Sequence, residues 1–162
     1  MKLFHGSYSS TAPVMQIGQF TQVNGSENLY DGIFASDSMD SASSHGCGFV
    51  YTYEINDEKI ASSRDLDNRT EEVYAFLRAE LNIDDVAEIA DRIMWDNDSD
   101  CEDFADILSP RSNAFDGGAG DLSWELQRLR GRVAAHLGFD AVEMEDEHGT
   151  SYLIVNPAIK VV

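Results

Sequence analysis

The sequence has few basic residues. It holds 11 Lys and Arg against 30 Asp and Glu, so its formal net charge at pH 7 is −19. A protein that grips nucleic-acid phosphates needs a cationic face from which counterions are released, and this chain would repel a phosphate backbone. The charge therefore excludes direct nucleic-acid binding. It favours a soluble acidic protein that resists aggregation, or one whose partner is basic.

Long apolar runs are also missing. No stretch approaches the roughly 18 residues that span a bilayer, and the N-terminus has no apolar segment long enough for a secretion signal. We therefore expect a cytoplasmic protein without a membrane partner. The length of 162 residues and a hydrophobic content of 43% predict one globular domain over residues 1–162.

Cysteines and phosphate-binding loops are scarce as well. Cys47 and Cys101 lie far apart without a CxxC pattern, which predicts neither a disulfide nor a zinc site. A calcium loop at Asp96, Asp98 and Asp100 is rejected, because it lacks the glycine and the glutamate that such loops need, so we predict no metal. Neither a Gly-rich phosphate loop nor a serine nucleophile elbow is found.

Short β-branched and aromatic segments lie at both ends of the chain. They predict strands at 3–5, 32–35, 49–55, 141–146, 152–155 and 159–162. A brief helix is expected to run from Ser36 and Asp37 to His45, where Gly46 would end it.

The middle of the chain is helical and acidic. Apolar residues recur there at helical spacing, in the sets Val73, Phe76, Leu77 and Leu81; Val86, Ile89, Ala90 and Ile93; and Leu122, Leu126, Leu129, Val133 and Leu137. Between Asp84 and Asp106 there are ten acids and one base, Arg92. Grouped helices between terminal strands predict an α+β fold.

The first segment that could carry chemistry is His5-Gly6-Ser7. It presents an imidazole, a backbone without a side chain and a hydroxyl at the end of a predicted strand. Such a corner could hydrogen-bond a ribose and an amide while a flat ring lies against the chain. The alternative is a solvent-facing strand end with a turn glycine.

The second segment runs from Gly32 to Ala35 and is followed by His45. An aromatic side chain on a strand and a ring on the next helix, Phe34 and His45, could clamp a heteroaromatic group. Equally, Phe34 could be ordinary core and His45 a polar helix end.

The third segment is an acidic hairpin with Glu143, Glu145, Asp146, Glu147 and His148. On a strand, Asp146 shares a face with the apolar Met144, so we expect its carboxylate to be partly desolvated. A fixed, desolvated carboxylate can stabilise a developing cation. The alternative is a solvated acidic turn that blunts a sheet edge.

Together and in this order, the three segments resemble the motifs of the ADP-ribosyltransferase fold. The similarity is closer to the phage-encoded type I-F anti-CRISPR ADP-ribosyltransferases, and it is carried by the stretches 124–131, 137–139 and 142–150. The central acidic helices are not covered by these motifs.

The resemblance implies a split β-sheet core with an acidic helical insertion and an NAD-dependent protein mono-ADP-ribosyltransferase. It assigns the catalytic acid to Asp146, although Glu145 and Glu147 stay open, because Ser151 stands where most members of the wider fold have a glutamate. The implied NAD-binding residues are His5, Gly6, Ser7, Gly32, Phe34, Ala35 and His45.

The implied target is a subunit of the type I-F CRISPR surveillance complex, at the asparagine that reads the PAM. Two alternatives stay open: an acidic DNA mimic that blocks a basic groove without catalysis, and an NAD glycohydrolase that uses water as acceptor. The acids between Asp84 and Asp106 are expected to form a surface that docks on a basic partner. The oligomeric state is not predicted.

Overall fold

The computed structural model describes residues 1–15, 17, 31–46, 48–108, 119–146 and 149–162. The strands are β1 (Lys2–Ser7), β2 (Ile33–Ala35), β3 (Phe49–Glu54), β4 (Ile60–Ala61), β5 (Ala141–Asp146) and β6 (Gly149–Ile154). The helices are α1 (Met39–His45), α2 (Ser63–Asp67), α3 (Thr70–Leu81), α4 (Ala87–Met94), α5 (Ala105–Leu108) and α6 (Ala119–His136). Short 3₁₀ turns lie at Asp57–Lys59 and Cys101–Phe104. This arrangement confirms the predicted α+β class.

The strands form two sheets. β1 and β3 make an antiparallel ribbon, and the second sheet has the order β2, β6, β5, β4, with β4 and β5 parallel. The sheets meet at a bridge between Phe4 and Ser36, whose backbone hydrogen bonds measure 2.7 and 2.9 Å. The β-sheet core is therefore split into two sheets, with the division between β1 and β2, as the resemblance implied.

The helices bury their apolar stripes against one face of the four-stranded sheet. Residues of this core include Val73, Leu77, Ile89, Ile93, Leu126, Leu129 and Val133 from the helices and Val142, Met144 and Leu153 from the sheet. The helical spacing seen in the sequence is confirmed by this burial. None of the helices in the described ranges is long and apolar enough to cross a membrane.

A second, smaller cluster joins the two sheets on their other face. It contains Leu3 and Tyr53 from the ribbon and Ile33, Ala35, Ala141, Tyr152 and Ile154 from the larger sheet, with Ile55. Because apolar side chains of both sheets lose contact with water together, this cluster stabilises their junction.

A buried ionic group ties α6 to the start of β2. The guanidinium of Arg128 lies 2.8 Å from a carboxylate oxygen of Asp31 and 2.6 Å from one of Glu125, and all three residues are buried. Asp31 immediately precedes Gly32, so the group fixes the entry to β2. The sequence gives little sign of it, because only burial distinguishes these charges from those on a solvated helix face.

Several boundaries differ from the sequence predictions. β1 continues through Ser7, so the strand is longer than predicted and the alternative of a turn glycine at Gly6 is not found. The strand predicted at 159–162 is reduced to a bridge between Tyr53 and Val161, because the chain turns at 156–158 before it reaches β3. β4, at two residues, is too short to leave a pattern.

We expect Arg128→Met to lower the free energy of unfolding by about 3 to 5 kcal/mol, because Glu125 and Asp31 would lose their buried partner and Asp31 would keep only the weaker contact with Arg132 at 3.9 Å. Lys2→Met is the matched control: Lys2 pairs with Glu54 at 3.4 Å, with both side chains more than half exposed, and should change stability by less than about 1 kcal/mol. Urea unfolding followed by circular dichroism measures both, and equal losses would contradict this reading of the buried group.

Candidate active site

His5 is held at the junction of the two sheets. Its Nδ1 donates a hydrogen bond to the carbonyl oxygen of Phe34 at 2.6 Å. Since a carbonyl only accepts, Nδ1 carries a proton, and in the tautomer with its only ring proton there Nε2 is an acceptor. Nε2 is buried and has no hydrogen-bond partner among the described residues. This atom fits a ligand that brings a hydroxyl or an amide N–H to the junction.

Gly6 is required for the approach of α1 to β1. A methyl group at Gly6 would lie 1.8 Å from the carbonyl oxygen of Ala42, and one at Gly46 would lie 2.1 Å from the backbone nitrogen of Ser7. The helix therefore rests directly on the strand, with His45 exposed at its last position. Gly6 serves this close contact and not a turn.

Ser7 is 2% exposed. Its Oγ accepts a hydrogen bond from the backbone nitrogen of Ser9 at 3.0 Å. In this conformation the hydroxyl supports the chain that leaves β1. A contact between Ser7 and a ligand stays a prediction.

The second sequence segment lies beside the first. Phe34 is partly buried against the main core, and Ala35 is buried in the smaller cluster. Gly32 packs tightly, since a methyl group there would lie 2.7 Å from the carbonyl oxygen of Ile154. The structure thus brings His5 and Phe34 together, while the proposed clamp between Phe34 and His45 stays a prediction.

Strand register places His5 in a row of side chains that crosses both sheets. Tyr51 faces His5 across the ribbon, and the antiparallel bridge sets His5 level with Ala35. Ala35 faces Tyr152, which in turn faces Glu143. Burial raises the pKa of the Tyr152 phenol, and nearby carboxylates including Glu143 raise it further. Tyr152 therefore stays a neutral hydrogen-bond donor in this row.

The acidic hairpin ends in solvent. Val142 and Met144 of β5 are buried, but Glu145 and Asp146 are exposed. The alternation of faces is confirmed, whereas the predicted partial desolvation of Asp146 is wrong, because β5 extends past the core before it reaches this residue. Glu147 and His148 lie outside the described residues.

The register sets the acids at different distances from His5. By the strand register, Glu143 lies in the same row across the strands as His5. Asp146 lies three residues, or about 10 Å, further along β5 than Glu143. Ser151, where the wider fold has a glutamate, is 7% exposed and faces Met144 across the hairpin. Its Oγ has no hydrogen-bond partner within the described ranges.

Arg130 supports the acidic hairpin through a hydrogen bond to the backbone of β5. The sequence analysis did not identify this residue. It is buried on α6, and its Nε donates to the carbonyl of Glu143 at 2.9 Å. A signal was present: Arg130 lies four residues after Leu126 and three before Val133, which places a charge on the apolar stripe of the helix. A charge at such a position is usually paired or hydrogen-bonded.

A small polar cavity lies near the end of α4, lined by residues that include Asp96, Asp98, Ser123, Gln127 and Glu145. Its volume of about 50 Å³ is far below that of a nucleotide site. Within the described part of the chain, no group of three or more His, Cys, Asp or Glu side chains is arranged to hold a metal ion.

The sequence also matches a family model over its whole length. The model describes the family as Anti-CRISPR Type I-F ADP-ribosyltransferase AcrIF11, and the match spans residues 1–162. The chain belongs to this family. The type I-F anti-CRISPR ADP-ribosyltransferases are NAD-dependent transferases, and the match includes the acidic helices that the sequence motifs leave uncovered.

A solved structure agrees with this assignment. The crystal structure of an anti-CRISPR protein is similar at 26% sequence identity and a TM-score of 0.61, over 100% of this chain and 95% of that one. No curated protein matches the chain significantly. Membership of the anti-CRISPR ADP-ribosyltransferase family gives the activity class and implies NAD as the donor, whereas the roles of individual residues stay predictions.

We expect Gly6→Ala to destabilise the protein by at least about 1 to 3 kcal/mol, because its methyl group would meet the backbone of α1. Gly120→Ala is the control, since a methyl group there meets nothing within 4 Å and lies in a helix; it should leave stability unchanged or raise it by up to about 1 kcal/mol. Chemical unfolding of both variants tests this, and a neutral Gly6→Ala would show that α1 is not held against β1.

Proposed function

We propose that this chain transfers ADP-ribose from NAD to a protein subunit of the type I-F CRISPR surveillance complex, at the asparagine that reads the PAM. The observation that carries the proposal is the imidazole of His5, which is locked by the Phe34 carbonyl and offers a buried acceptor at the sheet junction. NAD supplies ribose hydroxyls and a carboxamide, which are the donors that such an acceptor fits.

The binding residues line this junction. His5 would accept a hydrogen bond from the nicotinamide ribose or amide, and Phe34 and His45 would flank the ring. Gly6 and Gly32 support the site by letting α1 and β6 approach the strands closely. Tyr152 adds a neutral donor in the same row as His5.

Asp146 would act as the catalytic acid on the edge of the site. Its carboxylate stabilises the positive charge that develops on the ribose carbon as the bond to nicotinamide breaks. Exposure at the hairpin end leaves room for a protein acceptor beside it. An asparagine amide is a poor nucleophile, so Asp146 and the docked target would act by positioning and charge stabilisation.

We expect Asp146→Asn to lower the rate of ADP-ribosyl transfer by about 100-fold or more, because one fixed charge at the reacting carbon is lost. Glu145→Gln and Glu143→Gln are matched controls on the same strand, and both should keep most of the activity. The rates are measured with labelled NAD and purified surveillance complex. If Glu143→Gln abolishes transfer while Asp146→Asn retains it, the acid level with His5 is the catalytic one.

The target is tested by intact mass spectrometry. Incubation with NAD should add one ADP-ribose to a single subunit of the complex, and substitution of the PAM-reading asparagine by Ala should prevent this. Unchanged subunit masses with lost DNA binding would favour the acidic mimic. ADP-ribose released at the same rate without the complex would favour an NAD glycohydrolase.

A further inference from the structure

The acid-bearing half of β5 has no strand beside its outer edge in the described part of the molecule. β5 pairs with β6 along its whole length, but β4 reaches it only at Ala141 and Val142. Beyond Val142, backbone groups that point away from β6 need other partners, because an unpaired polar group next to the core is unfavourable. This half of β5, which has no neighbouring strand on its β4 side among the described residues, ends at Asp146.

Two side chains supply those partners. Arg130 Nε donates to the carbonyl of Glu143 at 2.9 Å, and the backbone N–H of Glu145 donates to Oδ2 of Asp96 at 2.6 Å. Residues two apart on a strand direct their backbone groups to the same edge, so these contacts stand where a neighbouring strand would bond. Arg130 also donates to the carbonyls of Ile93 and Met94 at the end of α4, two to three residues before Asp96.

The backbone of Asp96 is unusual. Its φ is 53°, and it follows α4 as the left-handed residue of a Schellman-type helix end, in which the N–H of Asn97 donates to the carbonyl of Arg92 at 2.9 Å. Glycine adopts this conformation without strain, whereas a residue with a Cβ is strained there. A side chain kept at such a position needs a compensating contact, and the bond from Glu145 provides one.

The surroundings of Asp96 also favour a directed contact. The carboxyl is half-buried, and burial raises its pKa, while the hydrogen bond from Glu145 and the positive charge of Arg130 oppose that rise. A carboxylate that has lost much of its water depends on such donors.

We propose that Asp96 is a positioning residue that fixes the backbone one residue before Asp146 and thereby sets the direction of the catalytic carboxylate. The inference rests on the proposed role of Asp146. Asp96 acts through the peptide of Glu145 and needs no contact with NAD. Its removal should therefore lower kcat and leave the KM for NAD nearly unchanged.

Two substitutions separate this role from a general structural one. Asp96→Gly removes the carboxylate without backbone strain, and should lower kcat for ADP-ribosyl transfer by about 10- to 100-fold. Asp96→Asn keeps an oxygen acceptor and should stay within about threefold of the wild type. Asn82→Gly is the matched control, because exposed Asn82 is also left-handed at a helix end, with a φ of 54°, and should leave kcat unchanged.

A wild-type kcat in folded Asp96→Gly overturns the proposal, and so does an Asp96→Asn variant that is as slow as Asp96→Gly. If Asp96→Gly fails to fold, hydrogen exchange of the Glu145 amide in the wild-type protein decides: protection supports the proposal, and exchange at the rate of an exposed amide overturns it. Absence of transfer by the wild type, or full activity of Asp146→Asn, instead counts against the proposed function.

Discussion

The junction between the two sheets is the constraint on which the candidate site depends. The backbone bonds of β1 to the larger sheet are concentrated at the bridge between Phe4 and Ser36, so side chains must hold the sheets in place. The His5 bond to the Phe34 carbonyl and the shared apolar cluster do so. Because the junction also orients His5, the same contacts that join the sheets prepare the site.

The few basic residues of this acidic protein include two buried arginines that support β2 and β5. Arg128 neutralises Asp31 at the entry to β2, and Arg130 bonds the backbone of β5. Burial of a guanidinium is tolerated because its planar set of donors can be satisfied by carboxylates and carbonyls. Asp31 and Glu125 are buried as well, so the two arginines inside the described part of the molecule are matched by two acids, and the outer surface keeps the acidity of the whole composition.

The hairpin combines a buried part with the exposed residues Glu145 and Asp146. Met144 and Ser151 anchor it in the core, and the charged end continues into solvent. The proposed transfer to a protein acceptor would use both properties, because Asp146 would be held by the buried part of the hairpin while the acceptor approaches from solvent. The structural similarity to another anti-CRISPR protein at 26% identity shows how widely the sequence can vary around this fold.

The sequence alone determined the α+β class, the apolar helix faces and the short motifs that indicate the family, because these depend on periodicity and on local residue types. It also placed His5 and Phe34 in separate candidate segments. Only the tertiary structure decided that these two residues are bonded, that Gly6 and Gly46 admit a helix, and that Asp146 is exposed. Such facts depend on contacts between residues distant in the chain, and a charged residue such as Arg128 or Asp96 reads the same in sequence whether it is buried or solvated.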